Sequence, residues 1–507
     1  MKLNRSLSSF FIFSFLLFPL AFLKAQSGMF LSSKKEYVEI LSADYLESTR
    51  PGEQKLVGHV RLKQGNVLLA CDSAFIYENG DFFSYGRVFM NKKDSVKTYC
   101  DEMKYYGEKK LTVFNKNVRM ISDKTTIETD QLFYENEKNN AYYLDGANIT
   151  ADKTKIYSEK GYYNTSSRLI NFKKNVVVKT ADFSMISDTL TYHTPTQKTT
   201  FNGPTNIISK SGKIYCEAGY FDELKQESVF KKNARITEKS QIIYADSIHR
   251  NSKTSISDAY RNVRAIDTVE HVAITGNHGI FYEKSGKSIM TERAVLEQLI
   301  DDDTLYLHAD TLKAVNDTVT KERKIYAYYG VRFFRKDLQG SCDSMTYFPS
   351  DSLIRLYRNP VIWSGESQIT GDYIELFIYE NKIREMRIRK NGFIISNNGP
   401  DTYDQIKGRD MVGYFSDGKM KKMKVTGNGQ TLYYVKESDG SYIGANQADC
   451  SNLMITFKEG KVGKIKFFVK PNAIFHPIEK VDVAKLKLEN FLWREKEKPK
   501  TKEGLFD

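Results

Sequence analysis

Cys100-Asp-Glu-Met-Lys-Tyr105 recurs upstream as Cys71-Asp-Ser-Ala-Phe-Ile-Tyr77, and downstream as Thr129-Asp-Gln-Leu-Phe-Tyr134 and Ser187-Asp-Thr-Leu-Thr-Tyr192. The shared pattern is a small residue, an acid, any residue, an aliphatic or Gly, any residue, and an aromatic. Its acids fall at Asp44, Asp72, Asp101, Asp130, Glu159, Asp188, Glu217 and Asp246, separated by 28 residues once and then by 29 six times. A fixed period in this range marks an array of like supersecondary units. A second marker keeps the same interval: Asn117, Gly146, Asn175, Pro204, Asn233 and Asn262 are each 29 residues apart. Three residues before them stand Phe114, Tyr143, Phe172, Phe201, Phe230 and Ala259. Turn-compatible residues preceded by an apolar one read as the end of a strand segment.

Each copy is long enough for two or three strands and their turns at about 3.3 Å per residue. Apolar positions alternate but change phase at the acid. Before it they lie three residues back (Leu69, Ile127, Ile156, Met185, Ile214, Ile243). After it they lie two and four ahead (Met103 and Tyr105, Leu132 and Tyr134, Leu190 and Tyr192). A strict period of two would place these sets on opposite faces. Both face inward only if the chain slips by one residue, as at a β-bulge or corner. The repeat acids Asp72, Asp101, Asp130, Glu159, Asp188, Glu217 and Asp246 are therefore expected at a bend, their carboxylates bonding backbone N–H groups that the bend leaves unpaired.

Beyond Asp246 the interval loosens. Copies begin at Gly276-Asn-His-Gly-Ile-Phe-Tyr282, Ala309-Asp-Thr-Leu312, Cys342-Asp-Ser-Met-Thr-Tyr347 and Gly371-Asp-Tyr-Ile374, with weaker ones near Asp410 and Asp449. Intervals that stretch towards 40 residues imply loop insertions on an unchanged scaffold. The least repetitive stretch, 283–308, reads as a join between arrays. The expected organisation is a signal over 1–25, a regular array over 26–266, a looser array over 267–478, and a C-terminal segment over 479–507.

The whole chain of 507 residues is 40% hydrophobic, with 32 Tyr and 31 Phe but only two Trp and ten Pro. This excludes collagen-like, disulfide-dense, low-complexity and polytopic membrane proteins. Stacked copies that bury their apolar faces against their neighbours need only a thin core, which accounts for the low apolar content. The fold class read from these features is all-β, an elongated, solenoid-like array of 29-residue repeats with a short C-terminal helix. That helix is expected from the amphipathic run Val481 to Trp493, ahead of a charged tail.

Lys2 and Arg5, the apolar run Phe10 to Leu23 and Lys24-Ala25-Gln26 have the order of a secretory signal. The alternative is an uncleaved anchor, because Leu23 is large for its place before the cut. Loss of Lys2, Arg5 and Lys24 lowers the formal charge from +13 to +10. A modest basic excess favours anionic partners such as phosphorylated lipid or a membrane surface. Nucleic acid is a poor partner for an exported chain.

Chemistry-bearing motifs are missing. Seven His are scattered without metal-ligand spacing, and no nucleophile or phosphate-loop motif occurs. Regular acids 29 residues apart do not form a catalytic pair or a calcium ladder. No cofactor is expected, and no enzyme activity. Cys71, Cys100, Cys216 and Cys342 occupy the small slot before the acid, where Thr129, Ser158 and Ala245 substitute. If a copy is two antiparallel strands, equivalent slots lie about 9.5 Å apart, too far for a disulfide.

Leu56-Val-Gly-His-Val-Arg-Leu62, Val67-Leu-Leu-Ala-Cys-Asp-Ser-Ala74 and Asp303-Thr-Leu-Tyr-Leu-His-Ala-Asp-Thr-Leu312 carry a Gly-x-Val, aliphatic-x-Ala/Cys-Asp-x-aliphatic pattern. It resembles the OstA-like family, which takes in the lipopolysaccharide-transport protein LptA and the N-terminal domain of the outer-membrane translocon LptD. The resemblance covers about residues 36–470. It implies a taco-like β-jellyroll in the periplasm, possessing an apolar groove that holds acyl chains of lipopolysaccharide while lipid A phosphates stay outside. It also implies partners: an edge-to-edge homo-oligomer or other OstA-like proteins, and the outer-membrane translocon. This chain departs from the family in having roughly twice the repeats of LptA and no long membrane barrel like that of LptD.

On that resemblance the groove candidates are Ile127, Leu132, Tyr134, Ile156, Met185, Leu190, Tyr192 and Ile214. The bland reading is that they fill a closed core. Two other functions stay open: a structural or adhesive β-solenoid that binds proteins through its sheet edges, and a carbohydrate-active β-helix, which would need acids clustered on one rung.

Overall fold

The strand Val96–Tyr106 runs into Leu111–Ser122 and that into Thr125–Glu135, each pair antiparallel and joined by a short turn. This hairpin-after-hairpin connection generates 34 strands and no α-helix among the described residues of the computed structural model. These are residues 38–507 apart from 93–95, 123–124, 152, 165, 211, 301–302, 317–321, 381, 417–418 and 459–460. The expected signal lies outside them. The chain falls into two compact units: an N-terminal one of 38–239 with Tyr244–Ile256, and a C-terminal one of Ser240–Ile243 with Ser257–Asp507.

One copy is thus two long strands, one bearing the acid and one the second marker. In Val96–Tyr106 the buried positions are Val96, Thr98 and Cys100, then Met103 and Tyr105, so the phase slips at Asp101 as expected. The extra residue sits on the neighbouring strand. Tyr99 faces Arg119 and Glu102 faces Asn115, leaving Cys100 and Asp101 opposite Lys116, Asn117 and Val118. Lys116 and Asn117 both have positive φ, +62° and +53°. Lys174 and Asn175, Lys232 and Asn233, Arg261 and Asn262, and Lys390 and Asn391 repeat that pair. Asn recurs there because it tolerates the left-handed region better than most residues.

The acid's expected partner needs correction. Asn117 Nδ2 donates to Asp101 Oδ2 at 2.7 Å, Asn233 Nδ2 to Glu217 Oε1 at 2.9 Å, and Asn391 Nδ2 to Asp372 Oδ1 at 3.1 Å. Arg87 takes Asp72 in the same way, and His59 takes Asp44. These carboxylates meet side chains of the adjoining strand; a backbone N–H is the partner at Asp410, from Lys390. The reason is that the acid's own amide already closes the bend: Glu159 N–H donates to Lys174 O and Asp372 N–H to Lys390 O. The carboxylate is left to reach the marker.

Each corner divides its strands into two leaves. The first leaf holds the halves before the acid and after the marker; the second leaf holds the others. Both turn their buried residues to the same interior, the arrangement of a β-jellyroll. The looser copies keep the corner, at Glu292 and Arg293, Arg358 and Asn359, and Gly427 and Asn428. Among the described residues the later strands are longer: Lys382–Gly399 and Lys419–Lys436 have 18 residues each, against 11 in Val96–Tyr106.

The C-terminal segment also departs from expectation. Val481 to Trp493 forms an irregular strap with turns at 483–485 and 489–490 instead of an amphipathic helix, and single 3-10 turns flank it at Ile478–Lys480, Glu495–Glu497 and Glu503–Phe506. It crosses the outer side of the first leaf in the C-terminal unit. Leu488 is buried with Phe393, Ile395, Leu432, Tyr434 and Ala445, and Val483, Leu486, Phe491 and Trp493 pack beside it. Two buried glutamines bind the strap backbone. Leu488 N–H donates to Gln405 Oε1 at 2.8 Å, and Gln368 takes Arg494 N–H and Leu492 O at 2.7 Å each. A helix would satisfy its own backbone and leave both amides unpaired, at about 1–3 kcal/mol apiece.

Candidate functional site

Between the two leaves of the C-terminal unit lies a cavity of about 1130 Å3. Ile274, Leu296, Leu307, Ile362 and Ile369 wall it from the first leaf, and Phe281, Ile325, Met345, Leu376 and Met386 from the second. The alternation of the strands puts these side chains inward while Glu297, His308 and Gln368 of the same strands point outward to the strap. Polar side chains enter the aliphatic walls at Gln298 and at Ser288, which sits by register between Phe281 and Ala314.

At the hairpin ends the lining becomes charged. Asp267, Glu270, Asp303, Arg335, Lys336 and Asp337 come from the first leaf, and Glu322, Arg323 and Lys382 from the second. Glu270, Lys336, Asp337 and Lys382 are exposed, so the cavity meets solvent there. Arg335 is engaged by Asp337 through Nε at 2.6 Å and Nη2 at 2.9 Å. Asp267 Oδ1 caps its own turn by accepting from Val269 and Glu270 N–H. Lys336 and Lys382 carry no such pairing in their immediate turns and are the mouth cations best placed for an anion. An apolar trough with a charged mouth suits an amphiphile whose tail enters and whose head stays outside.

The N-terminal unit shows why its interior differs. Four residues after the acid it carries the buried Tyr105, Tyr134, Tyr192 and Phe221 and the half-buried Tyr163, whose rings occupy the space between the leaves, with Ile76 and Arg250 in the same slot of the first and last copies. The same slot in the C-terminal unit holds Ala314 after Asp310, Tyr347 after Asp343 and Leu376 after Asp372, so two of the three lack a ring, and all three line the cavity.

Residues 35–188 match the OstA-like protein family, and residues 273–382 match the family described as LptA/(LptD N-terminal domain) LPS transport protein. These two stretches carry the OstA-like, LptA-type pattern. No curated protein matches the chain. Among solved structures, LptH of Pseudomonas aeruginosa is described as the LptA homologous periplasmic component of the conserved lipopolysaccharide transport device. It shares 20% identity over 21% of this chain and 80% of its own, with a TM-score of 0.19.

In this OstA-like chain the eight groove candidates lie in the N-terminal unit, and none lines the cavity. Leu132, Tyr134, Ile156, Met185, Leu190, Tyr192 and Ile214 are buried between the leaves, and Ile127 is half-buried. Register brings Ile127 beside Met120 and Ile149, and Leu190 beside Phe172 and Phe201. The five cysteines are free and buried, and burial pushes the Cys71, Cys100, Cys216 and Cys342 thiols up to about 12. They pack and do no thiolate chemistry near neutral pH. The cavity itself escaped the reading of the sequence, although the loss of ring at Ala314 and Leu376 was there to be seen.

Proposed function

We propose that this OstA-like protein is a periplasmic lipopolysaccharide-transport component that shelters lipid A acyl chains in the cavity of its C-terminal unit. The observation that carries the reading is the cavity's division into aliphatic walls and a charged mouth. The stretch 273–382, which matches the LPS-transport family, supplies most of those walls. Each methylene taken from water into such a trough is worth about 0.8 kcal/mol, so even a partly inserted acyl chain gains several kcal/mol. Lys336, Lys382 and Arg323 at the mouth then meet the phosphates by charge-assisted hydrogen bonds. The protein does no covalent chemistry in this reading; it binds and hands on.

The sheet edges supply the partner side. At the first strands Ile40, Leu41, Tyr45 and Leu46 are exposed, and at the last ones Phe468, Ile474 and Phe475. Unpaired edges with apolar side chains favour strand addition by another chain, such as a second copy, another OstA-like protein or an outer-membrane translocon. Lipid extracted from the purified protein and identified by mass spectrometry tests the reading. Stoichiometric lipid A species are expected; lipid-free protein that forms concentration-dependent filaments would replace the transport reading with the structural scaffold.

A further inference from the structure

The outer side of the first leaf differs between the two units. In the C-terminal unit the strap covers it, from Leu488 on Gln405 to Lys502 on Glu297 and Phe506 on His308. In the N-terminal unit none of the described residues covers the same side, and its composition is unusual.

Two lines of outward residues cross that leaf from Glu53–Gln64 to Glu227–Glu238, each residue paired by register with the next. One line passes through Arg61, Phe89, Tyr99, Arg119 and Tyr157 to Ile186 and Arg235. The other passes through Lys63, Leu68, Lys97, Lys155, Lys179, Ile208 and Lys213. Leu68, Tyr99, Tyr157, Ile186 and Ile208 are large apolar side chains left 39–52% exposed. Among the described residues the eight cations of the two lines face two carboxylates outside the corners: Glu39, paired by register with Lys63, and Glu128, which stands 3.6 Å from Arg119. At the corners Arg87 neutralises Asp72, while Asp101, Glu159 and Glu217 accept from the neutral amides of Asn117, Asn175 and Asn233 and keep their charge along one border of the face.

Cations interspersed with exposed aliphatic and Tyr side chains on one sheet face match an anionic interface with an apolar layer beneath it. The cations take the headgroups, and Leu, Ile and Tyr enter the boundary. A soluble acidic partner would use the charges and gain little from Ile186 and Ile208. We propose that this outer face docks on an anionic phospholipid headgroup surface. The surface is distinct from the cavity and does not depend on what the cavity binds.

Flotation with vesicles tests it, using protein purified from the exported fraction. Vesicles of phosphatidylcholine alone are compared with vesicles containing phosphatidylglycerol. The chain should float with the anionic vesicles only, and added salt should release it. Combining Lys97→Glu, Lys155→Glu, Lys179→Glu and Lys213→Glu should weaken flotation by at least about tenfold. These side chains are exposed, so the fold is retained. The matched set Lys109→Glu, Lys138→Glu, Lys225→Glu and Lys253→Glu, on turns of the other leaf, should float as the parent does. Ile186→Ser with Ile208→Ser should also weaken flotation, while binding to soluble polyglutamate is unchanged. The proposal is overturned if the parent chain does not float, if both lysine sets behave alike, or if the isoleucine pair has no effect, the last result pointing to an acidic protein partner.

Discussion

Asn117 Nδ2 donates a 2.7 Å hydrogen bond to Asp101 Oδ2, so the two markers repeated along the sequence meet at one corner of the sheet. Beside them Lys116 Nζ reaches Glu102 Oε1 at 2.6 Å, a second bond across the same bulge. Asn117 has two roles here, side-chain donor and left-handed backbone residue. The two can be separated. Asn117→Gly loses the amide but keeps the backbone conformation, whereas Asn117→Ala loses the amide and adds left-handed strain of about 1 kcal/mol. Denaturant midpoints should therefore fall in the order parent, Asn117→Gly, Asn117→Ala. A double cycle with Asp101→Ala should give a coupling of about 0.5–1 kcal/mol, small because the pair is exposed.

The first copies use glycine at this corner. Gly86 has φ +74°, and a Cβ there would stand 2.4 Å from Asp72 Oδ2, the carboxylate that Arg87 holds. That hydrogen bond to Arg87 keeps the Asp72 carboxyl below the usual range. Gly86→Ala should cost about 2–3 kcal/mol through strain and displacement of Asp72. Arg87→Ala, which leaves the backbone untouched, should cost clearly less. Thermal unfolding of the two variants checks the order.

Glu223 supplies a pH signature. Both its carboxylate oxygens are buried without a hydrogen-bond partner, and burial, with Asp222 adding to it, raises its pKa from 4.5 to about 8. A carboxyl whose folded pKa lies above its unfolded value binds more protons when folded, so it costs stability increasingly as pH rises through that window. Glu223→Gln should match the parent below about pH 4.5. It should pull ahead as pH rises towards 8, by about 2 kcal/mol, roughly half of what the full shift would carry. Melting temperatures measured across that range test the sign.

The strap should stabilise only the unit it covers. Leu488→Ala removes the side chain that the strap buries over Phe393, Ile395 and Leu432, at about 2–4 kcal/mol. Gln405→Ala should expose the same segment by removing the acceptor for Leu488 N–H. Hydrogen exchange should rise over 393–395, 432–434 and 486–493, and stay unchanged over 96–135.

These results show which parts of the fold the residues announce. The acids and markers declare the corner because a bulge has a strict residue count, and one shifted position would turn every buried side chain outward. Their mutual bond was not legible, since Asp101 and Asn117 are 16 residues apart and only the strand register brings them together. The strap misled because Val483, Leu486, Phe491 and Trp493 have spacing that suits a helix, while the partners that hold its backbone, Gln368 and Gln405, lie over 80 residues away. The run Phe393-Ile-Ile395 was the available hint, because consecutive buried residues need a cover on both faces of a strand. The groove candidates were drawn from the most regular copies. Rings fill most of that interior, whereas in the C-terminal unit Ala314 and Leu376 stand in the ring slot beside Tyr347 and line the cavity.

The most direct test is photo-crosslinking in cells from Leu307, Met345 and Leu376 on the cavity walls, compared with Leu132 and Leu190 in the N-terminal interior. The account predicts lipopolysaccharide adducts from the three cavity positions and little or none from the other two. Adducts confined to protein partners, or lipid adducts from Leu132 and Leu190 alone, would contradict it.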